Sequence, residues 1–337
     1  MLRILHDTKI DFIKYWRVAA GLTIVFVLSG LVPLAIFGLN ESIEFTGGTL
    51  VQVQFSKPPG DAHLREVLHS TGLQDAEPAR FGSDSEYTIK AQGSESVRAQ
   101  ANGAEVIAQQ IQSVLTDAFG KDGFTIVRSE EIGPRVGGEL RLGAIYAILI
   151  SFGITMLYLA WRFEWRFGVA ATLATMHDIF ATLAFIKLLN LEVSLTIIAG
   201  ILTVIGYSLN DTIIIFDRVR ENLHKTRKES LYDLLNRSVN ETLPRSVLTH
   251  LTTMLATVTL LVFAGEVIRP FAWVMTFGIF TGTFSSIFVA APILLWIEKK
   301  FPRADSVGRQ GVSPVTPKGP APRPPKRSPD KTPSPAR

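Results

Sequence analysis

Six long apolar runs constrain this chain more than any other feature. The first, Val18–Leu39, follows Arg3, Lys9, Lys14 and Arg17. At about 22 residues it is long enough to cross a bilayer core of about 30 Å as a helix. A cleavable signal peptide has a shorter apolar core and a small-residue cleavage site. No such site follows Leu39, so the run is expected to be an uncleaved span. Five more spans are expected near Leu142–Leu159, Phe167–Leu189, Ser194–Phe216, Val247–Ala264 and Phe271–Trp296. The fold class is an α-helical polytopic membrane protein. With 47% hydrophobic and 19% charged residues, the chain is poorer in charge than a soluble domain, at about 25%. It has no cysteine, which excludes disulfides, thiolate metal sites and thiol catalysis.

Between the first two spans, residues 40–141 read as a folded domain outside the membrane. Thr49–Phe55 alternates apolar and polar residues, as a half-buried strand does. Asp61–Ser70 reads as a short helix. Glu77–Phe81 and Tyr87–Ala91 read as strands around the turn Gly82-Ser83-Asp84. Val97–Phe119 places Val106, Ile107, Ile111, Val114, Leu115 and Phe119 at helical spacing, and Phe124–Val127 closes with a strand. The order β-α-β-β-α-β is the ferredoxin-like α+β arrangement.

The loops set the expected orientation. The N-terminus, the Trp161–Arg166 turn, the Asp217–Arg245 loop and the C-terminal tail hold most of the Lys and Arg. The positive-inside rule therefore puts both termini in the cytoplasm and the folded domain outside. Tyr15, Trp16, Trp161, Trp165 and Trp296 fall at span ends, as an aromatic belt requires. The division expected is residues 1–39, first span; 40–141, external domain; 142–297, five spans; and 298–337, a tail. The tail is basic and holds ten of the 18 prolines after Phe301. It has too little apolar surface to offset ordering and is expected to be disordered.

Ionisable residues inside spans are rare, costly and functional candidates by default. Asn210-Asp211 lies in the fourth span. A carboxylate there must be protonated, paired or beside water, and one that alternates among these states carries a proton. The structural alternative is a residue that caps or ties a neighbouring helix. Arg245, after Pro244, reads as an ordinary cytoplasmic-end anchor, although its permanent charge could hold Asp211 ionised. His177-Asp178 lies mid-way in the third span. Adjacent helical residues point about 100° apart, so the two cannot share a face. A proton relay and a structural hydrogen bond are both open for them. Gly278 and Gly282 form a G-x-x-x-G followed by Ser285 and Ser286, a small-residue stripe suited to close helix contact and assigned to a partner subunit. Gly47-Gly48 marks a tight turn into the first strand. No nucleotide loop, nucleophile elbow or metal cluster is evident. No enzyme activity, cofactor, metal or nucleic-acid partner is expected.

Several segments together resemble the SecD/SecF family of protein-export membrane proteins, of resistance-nodulation-division type. They are Ile43-Glu44-Phe45-Thr46-Gly47-Gly48-Thr49, Ile132-Gly133-Pro134-Arg135-Val136-Gly137 and His177-Asp178. Gly206 through Asn222, and Arg245-Ser246-Val247-Leu248-Thr249-His250-Leu251-Thr252-Thr253, also match. Glu44 stands where the family usually has Asp, so the acid is kept. The resemblance implies an inner-membrane subunit that pairs with SecD and assists the SecYEG channel in moving exported polypeptides. YajC is among the neighbours it implies, and protons supply the driving force. The family's membrane acid falls on Asp211 and its arginine partner on Arg245. Two other readings compete: a small-molecule efflux pump of the same superfamily and a non-transporting scaffold subunit. Efflux pumps usually carry two six-span units and larger external domains in one chain.

Overall fold

The computed structural model describes residues 8–91, 103–226, 229–265 and 267–302. The Pro-rich tail from residue 303 and the start of the expected second domain helix, residues 97–102, lie outside them. Six helical stretches are long and apolar enough to cross a membrane: Ile13–Phe37, Pro134–Arg162, Trp165–Leu188, Leu195–Lys225, Leu231–Phe263 and Arg269–Lys300. The first is a short 3₁₀ turn running into α1 (Trp16–Phe37). The last is interrupted by a π-helical turn.

Between the first two stretches lie β1 (Asn40–Glu41), the short helix α2 (Ile43–Thr46) and the domain proper. Its elements are β2 (Gly48–Phe55), α3 (Asp61–Ser70), β3 (Glu77–Phe81), β4 (Ser83–Ala91), α4 (Gly103–Phe119) and β5 (Phe124–Ile132). The sheet order is β3-β4-β2-β5 and every pairing is antiparallel. This is the ferredoxin-like topology. One face of the sheet packs on α3 and α4 through Val51, Val53, Phe55, Tyr87, Ile89, Leu64, Leu68, Ile107, Ile111 and Leu115. Full burial of each Leu stabilises by about 1.5–3 kcal/mol. Strand β2 departs from the half-buried expectation: Gln52 is only 8% exposed and Thr49 is fully buried. As a central strand it has neighbours on both edges, and its polar face is covered too. Gln52 donates to Glu86, and a crevice lined by Gln52, Lys90, Arg128 and Glu192 separates that face from the helices.

The remaining elements are α5 (Pro134–Arg162), α6 (Trp165–Leu188), β6 (Glu192–Val193), α7 (Leu195–Lys225), α8 (Leu231–Phe263), α9 (Arg269–Ser285), the π-turn Ser286–Ala290 and α10 (Ala291–Lys300). Helices α6, α7 and α9 form the centre. Helix α1 lies outside, with Val18, Leu22, Val25 and Ile36 exposed and only Ala19 and Gly30 buried. Such a surface suits lipid. Gly30 meets the Ala184 backbone so closely that a Cβ has no room. The domain is strapped to the bundle: β1 pairs in parallel with β6, Lys90 pairs with Glu192, and Arg141 pairs with Glu41 at 2.9 Å.

The stretch Asp217–Arg245 is not a loop. Helix α7 runs past Phe216 to Lys225, and α8 begins at Leu231 and passes through Pro244 without ending. Ser230 caps α8 by accepting from Asp233 N at 3.1 Å. Leu234, Leu235, Val239 and Leu243 carry a buried helical stripe that meets Val219. Ion pairs of Arg218 with Glu221 and Glu241, both at 2.6 Å, hold the outer face. The run is polar enough to mask this periodicity, which is why it reads as a loop in sequence. The segment before α1 lies on this extension. Asn240 accepts from Ile10 N at 2.9 Å and donates to Ile10 O at 2.8 Å. Asn236 and Tyr232 both donate to Asp11, and chiefly the Tyr232 hydroxyl holds the Asp11 carboxyl below its usual value.

Candidate functional site

Helix α7 carries Asp211 into the middle of the bundle, where it is 2% exposed. Ser246 of α8 donates its hydroxyl to Oδ1. Oδ2 has no hydrogen-bond partner among the described residues. One turn along α8 from Ser246, His250 lies on the same face, edge-on to the Tyr207 ring at 5.3 Å. The Tyr207 hydroxyl donates to Thr253 Oγ1 at 3.1 Å. A buried carboxylate with one bare oxygen is costly, because its lost hydration is replaced only in part.

Arg245 does not pair with Asp211. Its residue is exposed, on the outer face of α8. Residue 246 is rotated about 100° from it, so Ser246, not Arg245, reaches the acid. Asn210 likewise sits on the exposed side of α7, one position from Asp211.

The pair on α6 is connected to three other helices. Asp178 is 1% exposed. Its Oδ2 accepts from Ser208 of α7 and from Ser285 of α9 at 2.6 Å. His177 Nδ1 lies 3.0 Å from Asp178 Oδ1, and its Nε2 lies 2.6 Å from Thr23 Oγ1 of α1. The two residues point to different faces, as expected, yet their side chains also meet. Their Cβ atoms diverge, but the imidazole is long enough to turn back to the neighbouring carboxyl. Asp178 faces the centre and His177 bonds to an adjacent helix.

The small-residue stripe also needs correction. Gly278 packs on Val204 of α7, where a Cβ would overlap the valine side chain, and a Cβ on Gly282 would lie 2.9 Å from Ser208 Cβ. The stripe is consumed inside the chain and leaves no free face there for a second subunit. It brings α9 close enough for Ser285 to reach Asp178. The next residue, Ser286, opens the π-turn, and its hydroxyl lies 2.8 Å from Thr212 Oγ1, beside Asp211.

At the domain junction, Glu44, Phe45 and Thr46 lie in α2, and Gly47 turns the chain with φ +74°. A Cβ on Gly47 would lie 2.7 Å from Pro134 Cα, and one on Gly137 would lie 2.9 Å from Gly47 N. The two motif segments thus touch. Glu44 Oε2 accepts from Leu195 N at 2.5 Å, at the start of α7, where the helix dipole favours an anion.

Sequence reasoning missed Ser246, Ser208, Thr212 and Thr23. The signals were present: Ser208 lies three residues before Asp211 and four before Thr212, both helical spacings, and Ser246 and His250 share a face. Among the described residues, no group of three or more His, Cys, Asp or Glu could hold a metal ion.

The model of the family described as "Protein export membrane protein SecD/SecF, C-terminal" matches residues 110–300, and that of the SecD/SecF GG motif matches residues 34–59. A protein translocase subunit SecF of Gemmatimonas aurantiaca is 58% identical, with 90% of this chain and 92% of the relative covered. Its namesake in Desulfurispirillum indicum is 40% identical, with 87% and 93% covered. Among solved structures, SecDF of Thermus thermophilus matches with a TM-score of 0.77 and 33% identity. The match covers 89% of this chain and 40% of that one, so the chain spans about two fifths of the SecDF length. A SecDF structure in a super-membrane-facing form matches with a TM-score of 0.63 and 35% identity, covering 88% and 40%.

Proposed function

Because the chain belongs to the SecD/SecF family of protein-export membrane proteins, we propose that it serves as the SecF-type half of a SecD–SecF pair. In this reading it assists a SecYEG channel in moving exported polypeptides, with YajC as a further neighbour. It draws on the proton-motive force across the inner membrane, with both termini cytoplasmic. The ends of the helices opposite the domain support that orientation. Arg17, Arg166 and Lys300 lie there over Trp16, Trp165 and Trp296, as positive-inside anchors in an aromatic belt.

The observation that carries the reading is Asp211, buried among apolar helices with one carboxylate oxygen that has no hydrogen-bond partner among the described residues. A proton is the smallest group that neutralises it. Arg245 and Asn210 point out of the bundle, the side a second six-helix unit would cover. Arg245 then acts when the pair rearranges, not as a standing partner. One unit of pKa change is worth about 1.4 kcal/mol, and a membrane potential supplies about 2.3 kcal/mol per charge per 100 mV. These are comparable, so a modest rearrangement is enough to couple proton movement to conformation.

The test is export of a reporter protein into membrane vesicles with and without an imposed proton gradient. Asp211→Asn keeps the shape but cannot titrate. It should assemble with SecD and lose gradient stimulation, whereas Asp211→Glu should keep part of it. A gradient response equal to wild type in Asp211→Asn would make Asp211 structural and the subunit a scaffold.

A further inference from the structure

The carbonyl of Gly282 has more donors than it can accept. It lies one turn before the π-turn and takes the backbone N–H of Ser286. The Ser286 hydroxyl donates to it at 2.9 Å, and the Ser285 hydroxyl lies within reach at 3.1 Å. A carbonyl oxygen has two lone pairs, so three donors compete for it. Both hydroxyls have a second neighbour. Ser285 has Asp178 Oδ2 at 2.6 Å, and Ser286 has Thr212 Oγ1 at 2.8 Å. Each hydroxyl has one hydrogen, so each must choose.

We propose that Asp178 is a second proton-binding site of the bundle, and that the Gly282 carbonyl with Ser285 and Ser286 transmits its state to Thr212 and Asp211. With Asp178 ionised, Ser285 gives its hydrogen to the carboxylate, and Gly282 is left to Ser286. With Asp178 protonated, the acid donates to Ser285, whose own hydrogen returns to Gly282. Ser286 is then displaced toward Thr212, the residue after Asp211. No bond other than hydrogen bonds changes, and the only species taken up is the proton on Asp178. π-Turns inside α-helices often mark functional sites. Here the turn begins where two consecutive serines face two different helices.

The groups around Asp178 are few. His177 is the titratable group in contact with it. Helix α7 presents the Ser208 hydroxyl, with Asp211 about one turn further on. Helix α9 presents Ser285, and Thr23 of α1 reaches His177. The charged residues of α5 lie at its two ends, Arg135 with Glu139 and Arg141 with Glu41 beside the domain and Arg162 with Asp217 at the far end, where Glu298 of α10 also lies with Arg166.

The proposal builds on the proton-carrier reading of Asp211, but its test reads protonation directly and needs no export. Infrared difference spectra of the purified full chain are recorded as a function of pH. Asp178→Asn should remove one titrating carboxyl band, and Asp178→Glu should restore a band at a shifted frequency. Asp211→Asn should move the midpoint of the Asp178 band by about 1 unit, as for coupled sites. In the Asp211→Asn/Ser286→Ala double variant that shift, measured against Ser286→Ala alone, should disappear. Spectra unchanged by Asp178→Asn, in protein with wild-type circular dichroism, would overturn the second site. A shift that persists without the Ser286 hydroxyl would overturn the route. If the bands behave as stated while Asp211→Asn vesicles still respond to a gradient, only the export reading fails.

Discussion

Ser246 Oγ is the hydrogen-bond donor to Asp211 Oδ1, while the adjacent Arg245 lies on the outer face of the same helix. The acid is thus held in the single chain by a neutral hydroxyl, and the permanent charge next door is kept in reserve. Neutral and charged partners stabilise different states of a carboxyl.

Ser246→Ala should therefore disturb Asp211 more than its size suggests. A hydrogen bond to a charged group contributes about 1.5–3 kcal/mol, equivalent to about 1–2 pH units in a titration. Gradient-stimulated export should fall and its pH profile should move, with Ser246→Thr restoring both. An unchanged profile in Ser246→Ala would mean that the hydroxyl does not set the behaviour of Asp211.

Gly278→Leu should destabilise the subunit itself before any partner is added. Overpacking a close contact costs about 1–3 kcal/mol, and here even a Cβ would overlap the Val204 side chain of α7. Thermal unfolding of the purified chain in detergent should shift to lower temperature, with Gly278→Ala milder. A variant that melts like wild type yet fails to bind SecD would return the stripe to the partner interface.

The domain should lose stability in acid through Asp61. Arg80 at 2.8 Å and the Tyr87 hydroxyl at 3.1 Å hold this carboxyl below its reference value of 3.8. Its folded value is depressed, so its contribution is present above the unfolded value and is lost as pH falls through the folded one. In the isolated domain, Asn40–Arg135, the urea midpoints of wild type and Asp61→Asn should differ near pH 7 and converge as the pH falls below the reference value of 3.8 and on through the lower folded value. Midpoints that differ equally at both pH values would show that Asp61 acts through shape alone.

Asn240→Ala should release the segment before α1. Two hydrogen bonds to the Ile10 backbone are lost, each worth a net ~0.5–1.5 kcal/mol. Hydrogen exchange at the Ile10 amide should accelerate about tenfold or more, while the domain sheet is unaffected. Unaltered exchange would assign the anchoring to Tyr232 and Asn236 alone.

The six spans, the ferredoxin-like domain and the buried acid are legible in the order of residues alone. Each depends on a local periodicity or on a charge set in an apolar run, and these survive in one dimension. Asp61–Ser70 is a helix by the same boundaries in both views. Which neighbour each buried polar group meets depends on how the helices pack. Whether Asp211 faces Arg245 or Ser246 turns on about 100° of helix rotation, and that rotation is set by how α7 and α8 pack along their whole length. The extension of those two helices beyond the apolar runs is decided likewise, by Val219 packing against Leu234, Leu235 and Val239 across a hairpin. The Gly278–Gly282 stripe shows the limit most clearly. Small residues state that something comes close, and the packing of the whole bundle chose α7 of the same chain.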